Sequence, residues 1–477
     1  MDAQLSTDAS TLLRSAPCSV ELPAGAGKTH LLCASAFLAG SQGSRSLILT
    51  HTNAGVDAIR KRLVEFRIPQ DMVRVETLTS WAFTLVKSYS HLAGVQIGDH
   101  PDWSKSDSYL SGAEKVVSAE AVQTVLRSSF DYLIVDEYQD CTLQLHGFVL
   151  ALAESIPKTI VLGDRMQAIF GFTGPLVDWN DDVQRSFPAV NVNWSPHRWQ
   201  KHNQALGAWT LSVREDLLPG NLFDIRKYSV PGVSFLPKQN GMGLRNSAFM
   251  NRPTGESILI LGNFPNDDGV IASSLGGAFH VLEDIQGRFI RTHLNKIPAE
   301  GDFLLASWIV DFIKECANGV ADLDSTIRRK LLDNKPIAHL KRSSIQDVVT
   351  SLDGLRQQPS YQNLLQAANI ISRNPSVRIY RREAWQDGLR AIKECLESAE
   401  ESPVDNLAKV RGRLRNSSRK ISQRVVSRTL LVKGLEFDHV IISDLQKMNS
   451  HNHLYVAISR AKKSVTLIGS NPFVKLE

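Results

Sequence analysis

The sequence has little cysteine and no long hydrophobic run, and each absence excludes a class of protein. Five cysteines are spread over 477 residues without a C-x-x-C pair, so we predict neither a disulfide framework nor a zinc site, and we expect a cytoplasmic setting. The longest apolar stretch, residues 303 to 313, is interrupted by Asp311. The first residues carry acidic rather than basic side chains. We therefore expect no secretion signal, no membrane-spanning segment and no membrane partner.

The composition is that of a folded protein with more than one domain. Hydrophobic residues make up 43% of the chain and charged residues 22%, and 477 residues exceed what one compact core usually holds. The net charge is only +5, but residues 326 to 424 contain 20 Lys and Arg against 10 Asp and Glu. This basic segment is either the footprint of a polyanion such as nucleic acid or a solvated helical surface, and charge alone favours neither.

Short apolar and β-branched runs recur in the N-terminal third, each followed by a polar loop. They are residues 19–22, 46–50, 132–135 and 159–162, with similar runs at 258–261, 440–443 and 465–468. Residues from about 290 to 424 show mostly helical patterns. We predict an α/β fold with parallel sheets, in which the loops at the carboxyl ends of the strands form one site.

A glycine-containing loop, Pro23 to Thr29, lies between the first apolar run and a helical pattern. Its backbone N–H groups are suited to surround phosphate oxygens; they belong to Gly25, Ala26 and Gly27. Lys28 is placed to reach the β and γ phosphates, and Thr29 to bind Mg²⁺. Leu22 stands at the first glycine of the usual pattern, so an ordinary turn before a helix is the alternative.

Two adjacent carboxylates follow the apolar run at 132–135. Asp136 is suited to hold Mg²⁺, and Glu137 to orient or deprotonate an attacking water. Together with the glycine loop about 110 residues earlier, the pair predicts hydrolysis of a nucleoside triphosphate. We expect ATP and Mg²⁺ as the cofactors.

Further segments resemble motifs of the UvrD/PcrA/Rep-like superfamily 1 DNA helicases. They are residues 50–53, 136–140, 163–172, 433–437 and 455–461. The resemblance implies two RecA-like parallel-sheet P-loop domains with ATP in the cleft between them. The first domain would carry a reduced insertion and the second a largely helical one.

The resemblance also gives domain boundaries. The first RecA-like domain is placed at residues 1–190, with a short insertion around 85–130. The second comprises residues 191–289 and 425–477 and is interrupted by a largely helical, basic insertion at 290–424.

Catalytic roles are implied by the same resemblance. Gln167 would sense the γ-phosphate. Arg198 and Arg460 would act from the second domain as arginine fingers, since a guanidinium neutralises transition-state charge only when the cleft closes. Glu137 completes the expected catalytic set.

Three further residues are expected to bind the nucleotide. Glu436 resembles the residue that contacts the ribose. His197 stands where relatives place an adenine-stacking tyrosine, and Gln4 is a candidate for the adenine-reading glutamine.

For DNA, the resemblance implies a single strand that crosses the tops of both domains. Phe170 and Phe172 match stacking positions, with core packing as their alternative. Polar backbone contacts are expected from Thr52, Asn53, Thr77 and Ser80. His51 and Trp81 stand where relatives usually have phenylalanine. The segment 409–424 contains seven basic residues and no acidic one, so it contacts either nucleic acid, an acidic partner or only solvent.

The expected function is a DNA-dependent ATPase with 3′–5′ translocase or helicase activity on single-stranded or partly duplex DNA. Leu430 replaces a usual histidine and Thr173 a usual arginine, which weakens strand separation more than ATP hydrolysis. An ATP-dependent sensor of DNA ends with little unwinding is therefore the alternative. The chain also resembles in size the helicase subunit of the Gabija anti-phage system, which implies an ATPase–Toprim nuclease as partner.

Overall fold

The structure is a computed structural model that describes residues 3–97, 105–171, 174–239, 241–264, 266–284, 287–397, 402–415 and 422–477. The strands are β1 (Cys18–Glu21), β2 (Ser46–Thr50), β3 (Val73–Thr77), β4 (Tyr132–Val135), β5 (Lys158–Gly163), β6 (Leu222–Asp224), β7 (Val233–Pro237), β8 (Ile258–Gly262), β9 (His280–Val281), β10 (Ala317–Asn318), β11 (Arg378–Ile379), β12 (Arg424–Arg428), β13 (Phe437–Ile442), β14 (Ala461–Gly469) and β15 (Phe473–Lys475).

The helices of the first half are α1 (Ala3–Ser15), α2 (Lys28–Ser41), α3 (Asn53–Glu65), α4 (Leu78–Ser88), α5 (Ser90–Ala93), α6 (Ser106–Val117), α7 (Glu120–Ser129), α8 (Leu143–Ser155), α9 (Gln184–Ser186), α10 (His197–Gln200) and α11 (Gln204–Ser212). Those of the second half are α12 (Met242–Ala248), α13 (Asp267–Ser274), α14 (Arg288–Leu294), α15 (Leu305–Cys316), α16 (Ser325–Leu332), α17 (Gln346–Gln357), α18 (Tyr361–Arg373), α19 (Arg382–Glu397), α20 (Pro403–Arg415) and α21 (His451–Ser459). Within the described ranges, no helix combines the length and the apolar character needed to cross a bilayer.

The first sheet is parallel, in the order β1-β5-β4-β2-β3. All residues of β2 and β4 are buried, because separate apolar cores cover the two faces of the sheet. The four strands predicted from the sequence are present, and β3 is an additional edge strand that the sequence interpretation missed. Its alternating polar residues, Arg74 and Glu76, hide the apolar signal. The order places the ends of β1, β5 and β4 side by side.

The second sheet is also parallel and has six strands, in the order β7-β14-β13-β8-β12-β9. The predicted α/β class with two parallel sheets is confirmed. The core that includes Val440 and Val465 of this sheet also contains Ala24 and Met166, which come from loops of the first sheet. The two sheets are therefore joined by continuous apolar packing.

The chain between β9 and β12 forms a mostly helical unit. Helices α14 to α20 surround a separate core in which Phe312 stacks on Trp308 and Trp385, with ring centroids 5.3 and 5.4 Å apart. Only the short antiparallel pair β10–β11 interrupts the helices among the described residues of this unit. The exact domain boundaries stay a prediction.

Candidate functional site

The glycine loop connects β1 to α2 at the carboxyl end of the first sheet. Gly25 and Gly27 have φ of 73° and 88°, a region that residues with a Cβ rarely adopt. No side chain caps the start of α2, so its first amides remain available to an anion. Lys28 begins this helix, and its ammonium donates to the carbonyl of Leu22 at 2.9 Å. Ala26 lies buried in the same loop.

The residues present fit a Mg²⁺–nucleotide. Oriented amides, an ammonium, the half-buried Thr29 hydroxyl and the Asp136 carboxylate form a donor set for phosphates and one small cation. No group of three or more His, Cys, Asp or Glu that would hold a metal is found among the described residues. Mg²⁺ usually binds through one or two carboxylates and fills its other positions with phosphate oxygens and water, and Asp136 is one such carboxylate.

Asp136 and Glu137 follow β4 directly, at the carboxyl end of the first sheet. Glu137 has a left-handed backbone with φ of 56°, which is uncommon for a residue with a Cβ. Burial, together with the charge of Glu137, raises the pKa of Asp136 to about 7. Burial also acts to raise the pKa of Glu137, but Lys433 and Lys28 outweigh it and lower that pKa to about 2. Glu137 is therefore ionised at neutral pH.

Gln167 and Arg460 meet across the cleft. Gln167 ends a short turn after β5, and its Oε1 accepts from a guanidinium nitrogen of Arg460 at 3.0 Å. Arg460 is 1% exposed, and its Nε donates to the carbonyl of Val456 at 3.0 Å. Burial and the nearby Arg198 lower the pKa of Arg460 to about 10, so it remains a cation at neutral pH. The two residues predicted to act on the γ-phosphate are thus in direct contact.

The segment at the start of α10 covers the glycine loop. The backbone N–H of Arg198 donates to the carbonyl of Gly25 at 3.3 Å, and its Nε donates to Glu436 at 2.9 Å. A Cβ added to Gly27 would lie 3.1 Å from the ring of His197. Arg198, Glu436 and His197 therefore lie together at the mouth of the loop.

Trp199 fills the space beside two glycines. A Cβ on Gly25 would lie 2.6 Å from the indole, and one on Gly207 would lie 2.7 Å from the Cβ of Trp199. The indole N–H donates to the carbonyl of Ala461 at 2.7 Å. The fit requires glycine on both sides of the indole.

Gln4 is placed differently from the other nucleotide-binding candidates. It lies exposed on α1, and its amide donates to both carboxylate oxygens of Asp8 on the same helix at 3.1 Å. Its role in reading adenine stays a prediction.

The polar residues predicted to contact DNA have local structural roles. Thr52 caps α3 by accepting from Gly55, and Thr77 caps α4 by accepting from the N–H of Ser80. The Thr77 hydroxyl also donates to the Ser80 hydroxyl at 2.8 Å. Asn53 is the first residue of α3. These four polar residues lie at the starts of two helices that follow neighbouring strands.

The aromatic candidates lie in different surroundings. Phe170 is half-buried, with the ammonium of Lys433 5.4 Å from its ring centroid. Trp81 is buried and packs edge-on against Phe130, so it belongs to the core. Burial and the charge of Lys433 lower the pKa of His51 to about 3, which keeps its ring neutral. Phe172, together with the neighbouring position 173, lies outside the described residues.

Lys433 lies in one of the segments that resemble helicase motifs, but the sequence predicts no role for it in the site. Its ammonium donates to Asp140 and to the carbonyl of Gln167 at 2.5 Å, and it lies 3.7 Å from Glu137. The sequence also predicts no role for Asp164 and Arg214. Asp164 contacts Gln167, and Arg214 contacts Asp164. Only the long-range packing reveals these contacts. We define the cleft network by its buried and partly buried polar residues, which are Glu137, Asp140, Asp164, Gln167, Arg214, Lys433 and Arg460.

A second buried ionic group lies between the second sheet and the helical unit. We define the junction network as Glu283, Arg381, Asp387 and Arg411. Arg381 pairs with Glu283 at 2.6 Å, and Arg411 pairs with Asp387 at 3.2 Å. The hypothesis that the basic segment 409–424 is an accessible surface is wrong for Arg411, which is 8% exposed. Arg413 is exposed but pairs with Glu394 at 2.8 Å.

Two segments of the chain match helicase family models. Residues 102–188 match the UvrD/REP helicase N-terminal domain, and residues 431–468 match the UvrD-like helicase C-terminal domain. A "Probable DNA helicase" of Mycoplasma pneumoniae is 31% identical over 72 residues, which are 15% of this chain and 14% of that protein. The Pif1 helicase of Candida albicans aligns with a TM-score of 0.42 at 10% identity, over 98% of this chain and 94% of that one.

Proposed function

We propose that this protein is a DNA-dependent ATPase that moves along single-stranded DNA in the 3′ to 5′ direction and separates strands as a helicase. The observation that carries the proposal is the convergence of the glycine loop, the Asp136–Glu137 pair and two arginines from the second sheet at one cleft. The two helicase family matches, which include the acidic pair and Arg460, support the same reaction class.

In the proposed mechanism, the loop amides and Lys28 bind the phosphates of ATP. Mg²⁺, when held by Thr29 and Asp136, supplies charge neutralisation at the β and γ phosphates. Glu137, ionised at neutral pH, orients the attacking water and accepts its proton. Because the transition state of phosphoryl transfer is loose, a weak base in the right place is sufficient.

The arginines make hydrolysis depend on the second domain. The guanidinium of Arg460 contacts Gln167 at 3.0 Å, and the backbone N–H of Arg198 donates to Gly25 of the loop at 3.3 Å, so both residues lie next to the proposed phosphate site. Their donors neutralise charge that develops in the transition state, and they do so only when the cleft is closed. A cycle of closing and opening would thereby drive movement along DNA.

The first experiment measures ATP hydrolysis by the purified chain with and without single-stranded DNA, and displacement of one strand from a partly duplex substrate. We expect hydrolysis that DNA stimulates. Lys28→Ala and Glu137→Gln should each lower turnover by about 10³-fold, a size typical of lost electrostatic stabilisation in such sites. Lys61→Ala, an exposed lysine on α3, is the matched control and should leave turnover unchanged. Turnover that survives both site variants would show that the assignment is wrong.

The alternative is an ATP-dependent sensor of DNA ends. It is favoured by Leu430 in place of the histidine usual in UvrD-like helicases. DNA-stimulated turnover without strand displacement would support the sensor, whereas displacement would support the motor.

A narrower proposal is a role beside a nuclease in anti-phage defence. It rests on chain length and on the short connection through α4 to α7 before β4. Co-purification with an ATPase–Toprim nuclease and loss of phage protection in Lys28→Ala would support it.

A further inference from the structure

Arg214 joins parts of the cleft that are far apart in the chain. It lies in the turn after α11, and its side chain is 20% exposed. One guanidinium nitrogen donates to both oxygens of Asp164, at 2.9 and 3.0 Å, and to the hydroxyl of Tyr455 at 2.8 Å. The other terminal nitrogen is 3.6 Å from Glu21 at the end of β1. A single side chain thus contacts Glu21 and Asp164 beside the first sheet and Tyr455 beside the second.

Asp164 transmits this contact to the residues predicted to act on phosphate. It is fully buried, and its second oxygen accepts from the Gln167 amide at 2.9 Å. That bond turns the Oε1 of Gln167 toward Arg460. The backbone N–H of Asp164 donates to Gln139 at 3.0 Å, and Gln139 donates to Glu137 at 2.5 Å. Asp164 therefore lies one hydrogen bond from Gln167 through its carboxylate, and two from Glu137 through its backbone N–H.

Tyr455 transmits the same contact to the glycine loop. Its hydroxyl accepts from the backbone N–H of Ala24 at 3.2 Å, and its ring lies under the guanidinium of Arg214 at 4.9 Å. Tyr455 is buried in α21, the helix that precedes Arg460. Movement of α21 would change the donors around Arg214 and the loop together.

We propose that Arg214 is a positioning residue that holds the glycine loop and Gln167 in their hydrolytic arrangement when the cleft is closed. The proposal rests on the ATPase activity proposed above and adds a residue outside the segments that resemble helicase motifs. Arg214 need not touch the nucleotide. It acts through Asp164 and Tyr455, whose hydrogen bonds it completes.

A purely architectural ion pair would behave differently from a positioning residue. Loss of an architectural pair lowers the unfolding midpoint and leaves the turnover of folded molecules unchanged. Loss of a positioning residue lowers kcat because Gln167 and the loop are misaligned, while ground-state binding of ATP through the loop amides is retained. The separation of kcat from KM therefore tests the proposal.

The experiment compares Arg214→Gln, Arg214→Lys and the unaltered protein in DNA-stimulated ATP hydrolysis. We expect Arg214→Gln to lower kcat by about tenfold or more, with less than about a threefold change in KM for ATP. Arg214→Lys should recover part of the loss, since an ammonium reaches fewer of the acceptors. Arg226→Gln, which removes an exposed arginine paired with Asp224, is the matched control.

A second variant keeps the test independent of any folding defect in Arg214→Gln. Tyr455→Phe removes only the hydroxyl between Arg214 and the loop. We expect a smaller loss of kcat, and a loss in the double variant that is less than the product of the two single losses, because both act through one set of contacts. Unchanged kcat in Arg214→Gln, or fully independent effects in the double variant, would overturn the role of Arg214. Absence of any turnover in the unaltered protein would instead overturn the proposed function itself.

Discussion

The cleft network and the junction network are both largely buried, both join structural units, and both pair basic side chains with carboxylates. They differ in what surrounds them. The cleft network includes the left-handed Glu137, and it borders glycines with positive φ and the start of α2, which no side chain caps. In the junction network Arg381 pairs with Glu283 and its guanidinium lies 4.1 Å from the ring centroid of Phe289. Buried charge alone does not identify a site; the neighbouring capacity to receive a ligand does.

The largest expected effect is the loss of Arg460, the proposed arginine finger of the cleft network. Arg460→Lys keeps the charge but loses the planar fork that donates to Gln167 and to the Val456 carbonyl. We expect kcat to fall by about 10³-fold, within the range found for arginine fingers. Steady-state ATP hydrolysis at saturating DNA is the measurement. A fall of less than about threefold would contradict the assignment of Arg460.

In the junction network, by contrast, the loss should appear in stability. Arg381→Met removes the guanidinium that pairs with the buried carboxylate of Glu283, and removal of one member of such a pair typically costs about 3–5 kcal/mol. Urea unfolding should shift to lower concentration, while turnover of the folded protein stays normal.

A double variant separates the cause. Adding Glu283→Gln to Arg381→Met should recover part of the lost stability, because the charge of the buried carboxylate is removed as well. Equal loss in the single and double variants would show that packing rather than charge explains the effect.

Asp268, which is near Arg381 of the junction network, predicts a pH dependence of stability. Burial raises the pKa of Asp268 to about 7 in the folded state, although Arg428 and Arg381 oppose the shift and Glu283 and Asp267 add to it. A folded-state pKa above the unfolded value of about 3.9 means that the folded state binds the extra proton, so stability falls as pH rises from about 4 to about 7. Urea midpoints across this range should flatten in Asp268→Asn. An identical slope in the variant would contradict the prediction.

The smallest effect is expected two residues from a buried arginine. Arg413 is exposed and its pair with Glu394 is open to solvent, so Arg413→Gln should leave the unfolding midpoint unchanged. Arg411→Gln removes the buried one of two arginines that pair with Asp387 and should lower the midpoint clearly. Equal midpoints for the two variants would show that burial does not separate these neighbouring arginines.

The sequence predicts the parts of the molecule whose signal is local. The apolar runs at residues 46–50 and 132–135 are found as β2 and β4 with the same bounds. Alternating strand β3 was missed, because Arg74 and Glu76 mask a half-buried edge strand. Helix caps explain Thr52 and Thr77 without any ligand, a role that spacing alone does not distinguish from DNA contact.

Long-range contacts were beyond the sequence. The pairing of Arg214 with Asp164 spans 50 residues, and that of Lys433 with Asp140 spans 293. No periodicity links such positions, since topology brings them together. The same reason explains why the sequence places Arg411 in a basic segment. Only the fold shows that Asp387 of α19 lies beside it.

The fit of Trp199 between Gly25 and Gly207 limits which substitutions these three positions can accept. The indole occupies space that a side chain would otherwise take in each of two separate segments, one of them the glycine loop. A smaller residue at position 199 would leave a gap against the loop, and a larger one at either glycine would push the two sheets apart. These three positions can diverge only together. A chimera that joined the first sheet of one relative to the second sheet of another would therefore inherit a closed cleft only if both parents share this match.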